Sequence, residues 1–148
     1  MMDLGDLPEF KELAISVGSV FKMELTKAEG VSPKNPGESS RVKYFVVVGI
    51  DDDRVAVASL VINSKINSNL FWRIADYQYM ITSSEYDFLS KAESYVNCYD
   101  IKQISVSKIS QKAEYVGFFL TEDLNEILGI VRSSPANKAA VLKKFHLL

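Results

Sequence analysis

In 148 residues the chain has one cysteine and one histidine, and each scarcity removes a class of function. A lone Cys98 builds neither an internal disulfide nor a cysteine-based zinc site, which suits a reducing compartment. The single histidine, His146, sits beside the last residues, where a histidine-based triad would have no firm footing; it reads as a surface residue. No uninterrupted apolar run approaches the roughly 18–20 residues of a membrane span. The acidic start Met1-Met2-Asp3-Leu4-Gly5-Asp6 is unlike a signal-peptide n-region, so the expected location is the cytoplasm, with no membrane partner. Gly-x-Gly-x-x-Gly, the Walker phosphate loop, Gly-x-Ser-x-Gly and His-Glu-x-x-His are all missing, which leaves little room for dinucleotide enzymes, P-loop NTPases or zincins. No cofactor and no metal are expected.

A net charge of −2 means that the whole molecule offers no electrostatic footprint for indiscriminate nucleic-acid binding. Any such site must be local. Two stretches qualify, Lys102, Lys108 and Lys112 in one and Lys34, Arg41 and Lys43 in the other, although the common reading of either is a solvated basic face.

The residues that are plentiful are β-branched and aromatic ones in short runs. Arg41 to Ser64 places two such runs on either side of Asp51-Asp52-Asp53, which predicts an antiparallel hairpin with strands at about 43–50 and 54–62 and an acidic turn between them. Val46 to Val48 is apolar without alternation, so the first strand should be covered on both faces. Before it, Pro8 to Ala14 suggests a short helix. From Val17 a period of two predicts a half-buried strand, with Val17, Phe21, Met23 and Leu25 inward. The loop over 27–40, with two prolines and two glycines, is long enough for a lid or binding loop.

Further along, the pattern predicts a strand near 74–81 and a short helix over about 83–90, introduced by the capping-box spacing of Thr82 and Glu85. One long strand with a bend, or two, should follow over 94–106, and then a strand over 114–120. A helix over about 122–132 should be capped by Thr121 and carry Leu124, Ile127, Leu128 and Val131 on one face. A last helix should follow Ser134-Pro135. The whole reads as one mainly β (α+β) domain, 1–148, of about 5–7 antiparallel strands with short helices and a C-terminal amphipathic helix.

The order of these parts carries a resemblance. A strand opening Gly18-Ser19-Val20, a long Gly/Pro loop, a basic residue leading Lys43-Tyr44-Phe45-Val46-Val47-Val48, a strand ending Val61-Ile62-Asn63-Ser64, a later Val96-Asn97-Cys98-Tyr99-Asp100 and a closing amphipathic helix together resemble the MazF/PemK (Kid) toxin family over about residues 17–132. The resemblance implies an SH3-like barrel of CcdB/PemK type and a homodimer. It also implies a metal-independent endoribonuclease that cleaves single-stranded RNA and is restrained by an antitoxin protein.

Carried onto this chain, the family's Arg-Pro falls on Lys43-Tyr44, its Thr-Ser on Asn63-Ser64, and its Arg-Cys-Asp-Gln segment on Asn97, Cys98, Tyr99 and Asp100. The family arginine, which stabilises the phosphate transition state, is therefore replaced by Asn97. Cleavage through the 2′-hydroxyl needs a base, a donor for the leaving oxygen and a cation against the phosphate. By resemblance Asp100 would be the base, Ser64 a phosphate donor and Lys43 a catalytic cation, with Arg41 or Arg73 as the other residues that could supply that charge. Arg41, Asn63, Asn97 and Arg73 would bind the substrate. A catalytically silent barrel that binds an RNA or protein partner, and a CcdB-like inhibitor of a protein target, are the alternatives. A cation converging with Asp100 and Ser64 would favour cleavage; a pocket lined by Asn97 without a guanidinium would favour binding.

Overall fold

The computed structural model describes residues 15–31, 37, 38, 40–66 and 74–148. The helix expected over 8–14, Lys34 and Arg73 lie outside them. Seven strands form one sheet: β1 (Ser19–Thr26), β2 (Ser40–Ile50), β3 (Ala56–Asn63), β4 (Gln78–Thr82), β5 (Glu93–Asn97), β6 (Lys102–Ser105) and β7 (Glu114–Phe118). All pairings are antiparallel, in the order β4-β5-β3-β2-β1-β7, with β6 also beside β3. The stretch 94–106 is thus two strands. β5 pairs with the end of β3, through Ile62 and Asn63, and β6 pairs with its beginning, from Ala56 to Ser59.

Among the described residues no ladder joins β4 to β7, so a closed ring of strands is replaced by an open sheet. Side chains span that gap instead. Phe88 lies against Gly117 of β7, and Tyr79 of β4 donates to Asp123 at 2.5 Å. Tyr86 donates to the other oxygen of the same carboxylate and accepts from the Leu120 amide. The neighbouring carboxylate holds the Tyr79 phenol above its usual range, and burial does the same for Tyr86, so both stay protonated donors at neutral pH.

The pleat sends alternate side chains of β2 and β3 into two cores. Val46, Val48, Leu60 and Ile62 join Val20, Val96, Phe119, Ile127 and Val131 on one face. Phe45, Val47, Val57 and Val61 join Phe21, Met23, Leu25, Ile104 and Ile109 on the other. Val46 and Val47 are both fully buried, as a strand covered on both sides requires. Val17, expected inward, is instead exposed ahead of β1.

The acidic turn is held by Asp51, whose Oδ1 accepts from the amides of Val55 and Ala56 at 2.8 and 3.3 Å. Arg54 belongs to this turn rather than to β3 and has a φ of 55°. Where β2 bulges beyond Val47, Gly49 faces the C-terminal segment. A Cβ there would sit 2.6 Å from the Phe145 carbonyl oxygen. Because backbone has to move to admit it, Gly49→Ala is expected to cost about 2 kcal/mol, read as a lower midpoint in urea at unchanged slope.

Three helices complete the chain: α1 (Val106–Lys112), α2 (Thr121–Ser133) and α3 (Ala139–Lys144). α1 was not foreseen. Ser105 caps it by accepting from the Lys108 amide, and Val106 and Ile109 close the second core. α2 buries Ile127 and Val131, but its N-cap is Leu120, and Thr121 is its first helical residue. No helix forms over 83–90. Tyr86 and Leu89 are buried as expected, yet they sit in successive turns, in which the amides of Tyr86 and Leu89 donate to Thr82 and Tyr86 carbonyls. Tyr86 reaches Asp123 and Phe119, and Phe88 reaches Gly117 and Tyr44, contacts that outweigh the propensity of so short a helix. No helix among the described residues is long and apolar enough to cross a membrane.

Candidate functional site

The odd-numbered column of β2 runs Val47, Phe45, Lys43, Arg41. Its first two members are core and its last two are cations, so the second core gives way to a charged cleft at the end of the β2–β3 hairpin. Lys43 is half-buried, and its Nζ donates to Asn63 Oδ1 at 2.5 Å, one step beyond the Tyr44 and Ile62 pair. The cleft has a volume of about 530 Å³; its lining includes Arg41, Lys43, Asn63 and Ser64. Asn97, the last residue of β5, lines it from the neighbouring strand.

The orientation of Asn97 is determined by its neighbours. Its Oδ1 accepts from the Tyr99 amide at 3.1 Å, and a backbone N–H can only donate, so the atom facing it is the oxygen. Gln78 Nε2 donates to the same oxygen at 2.9 Å. The Asn97 amino group is left as a donor to a ligand.

Five of the residues anticipated from the sequence therefore share one cleft. Asp100 does not line it. The chain turns after β5, and Lys102 Nζ takes the Asp100 carboxylate at 2.8 Å while also donating to the Gly30 carbonyl at 3.0 Å. Lys102 thus bridges that turn to the segment after β1, and Asp100 is its partner there, outside the cleft that Ser64 lines. Lys65 and Ile66 line the cleft and were not anticipated. The available signal was that they directly continue Asn63-Ser64 in the same polar connection. Among the described residues no carboxylate lines the cleft, and none forms a cluster able to hold a metal ion.

In the other basic stretch, Lys102 and Lys108 are structural, while Lys112 is exposed at the end of α1. Thr26 and Glu29 form a capping box around a short 3-10 turn, Lys27–Glu29. Lys108 Nζ reaches Glu29 at 2.7 Å, so α1 and the start of the 27–40 loop are tied together. Burial would raise the Glu29 carboxyl, but the Lys108 ammonium and the Thr26 donors outweigh it and hold the group below its ordinary 4.5. A depressed carboxylate contributes stability above its unfolded pKa and loses that contribution as pH falls through its folded pKa. Glu29→Gln is accordingly expected to cost about 1 kcal/mol at pH 7 and progressively less below pH 4.5, in urea titrations run from pH 7 to pH 3.

Cys98 is buried beside the cleft strand, and burial pushes its thiol up to about 12. It is an inert core residue. A second depression, of about 630 Å³, lies between the acidic turn and α3, where exposed His146 meets Asp52 at 2.7 Å. Its lining carries acids together with Lys143 and Lys144, so a ligand of either charge would meet repulsion as well as attraction.

Comparison with models of known protein families finds no match, and comparison with curated proteins finds none.

Proposed function

We propose that this protein is a MazF/PemK-like, toxin-type domain on an SH3-like sheet, whose cleft binds single-stranded RNA through its phosphates without cutting it. The carrying observation is the composition of the cleft: Arg41, Lys43 and Lys65 beside the neutral groups of Asn63, Ser64 and Asn97, with no carboxylate among the described lining residues. Three cations match a polyanionic backbone, and amide and hydroxyl donors bond phosphate oxygens without adding opposing charge. Cleavage through the 2′-hydroxyl asks in addition for a proton acceptor beside that hydroxyl. Arg41 does bring a guanidinium into the cleft, so the reading turns on the missing proton acceptor: Asp100, the carboxylate the family resemblance offers, does not line the cleft and is engaged by Lys102.

The same composition suits an acidic antitoxin segment, which would compete with RNA for the cleft. The test is a 5′-labelled single-stranded RNA incubated with the protein and divided between a native and a denaturing gel. The expected result is a shifted band of intact RNA. Fragments in the denaturing gel would restore the endoribonuclease, and an unshifted intact band would reject RNA binding.

A further inference from the structure

The register of the sheet extends the cleft in one direction. Asn63 pairs with Tyr95, and Tyr95 pairs with Met80. Directly paired residues project to the same face, so Lys43, Asn63, Tyr95 and Met80 form one row across β2, β3, β5 and β4, about 14 Å long at the usual strand spacing. The next row on that face is Asn97 paired with Gln78. The row runs from a cation, through an amide, to a half-buried aromatic ring and an apolar side chain that is 50% exposed at the sheet edge. Neither Tyr95 nor Met80 belongs to either core cluster.

We infer that Tyr95, flanked by Met80, is a base-stacking platform that continues the phosphate cleft, so that the ligand is a strand with an unpaired, unstacked base. This rests on the RNA-binding reading above. A phosphate held at Lys43 and the amides of Asn63 and Asn97 places the attached nucleoside over the next strand of the row, where an aromatic face and a soft thioether replace charge. Stacking on such a face is tolerant of base identity and adds affinity that a bare polyanion does not obtain. A base in a duplex is already stacked on both sides and gains nothing there.

The experiment is a fluorescence-anisotropy titration of 3′-labelled heptauridylate, with two unlabelled competitors: an abasic ribose-phosphate oligomer of equal length and inorganic polyphosphate. With the wild-type protein, unlabelled heptauridylate should compete about tenfold better than the abasic oligomer. Tyr95→Leu should remove that difference and leave polyphosphate binding unchanged, while Tyr95→Phe should keep it. Met80→Ala, at an exposed edge position where folding is not at stake, should weaken heptauridylate alone, about threefold. Equal competition by the abasic oligomer in the wild type, or a Tyr95→Leu loss that extends equally to polyphosphate, would overturn the platform. In that case Arg41→Ala weakening all three ligands would leave the phosphate cleft standing; no binding of any of the three by the wild type would remove both.

Discussion

Asn137→Ala is expected to destabilise the fold by about 3 kcal/mol, a drop of about 10 °C in Tm for a chain of this size. The side chain is buried in the segment between α2 and α3. Its Oδ1 accepts from the Ile101 amide at 2.9 Å, and its Nδ2 donates to the carbonyls of Cys98 and Val131 at 3.2 and 3.0 Å. Ile101 and Cys98 bracket the interruption between β5 and β6, where no ladder serves the backbone, and Ser134 Oγ donates to the Tyr99 carbonyl in the same place. Val131 keeps a longer bond from the Ser134 amide, so alanine strands two buried groups, at about 1.5 kcal/mol each. Asn137→Asp separates the roles. It retains the acceptor for Ile101 but sets a carboxylate oxygen against two carbonyls, and should cost at least as much. Thermal unfolding of both variants checks this, and a change under 1 °C for alanine would show that the bend is held by other means.

The second large effect is on binding. Removing Arg41 and Lys65 together takes two of the three cations from the cleft while sparing Lys43, which is bonded to Asn63 within the hairpin. Each phosphate contact on a single strand contributes about 0.7 to the slope of log K against log salt, a factor of about 5 in affinity at 0.1 M. The double variant Arg41→Ala, Lys65→Ala should therefore bind single-stranded RNA about 25-fold more weakly at 0.1 M salt and lose about 1.4 from that slope. Both side chains are exposed, so stability should change by less than about 0.5 kcal/mol. A salt slope equal to that of the wild type would place the phosphates elsewhere.

Much of the sheet could be read from residue order because it depends on near neighbours. The β-branched runs around Asp51 specify the hairpin, and unbroken Val46 to Val48 specifies a strand with no solvent face. α1 escaped because Val106 and Ile109 are β-branched and follow directly from β6; only Ser105 marks its start. The opposite error occurred over 83–90, where Thr82 and Glu85 have the local spacing of a helix start, but Tyr86 and Phe88 are claimed by α2 and β7.

The cleft divides in the same way. Arg41, Lys43, Asn63 and Ser64 meet because a hairpin register brings them together, and Asn97 follows because β5 pairs with the end of β3. The removal of Asp100 depends on Lys102 reaching Gly30, 72 positions away in sequence, a contact no local pattern announces. Ring closure was likewise beyond reach, since among the described residues the edges of β4 and β7 are connected by side chains from a turn and a helix rather than by a ladder.

The most direct measurement is the affinity of the wild-type protein for single-stranded RNA over a series of salt concentrations. Three cations on the phosphates predict a line of slope about −2 in log K against log salt. A slope near zero would contradict the account.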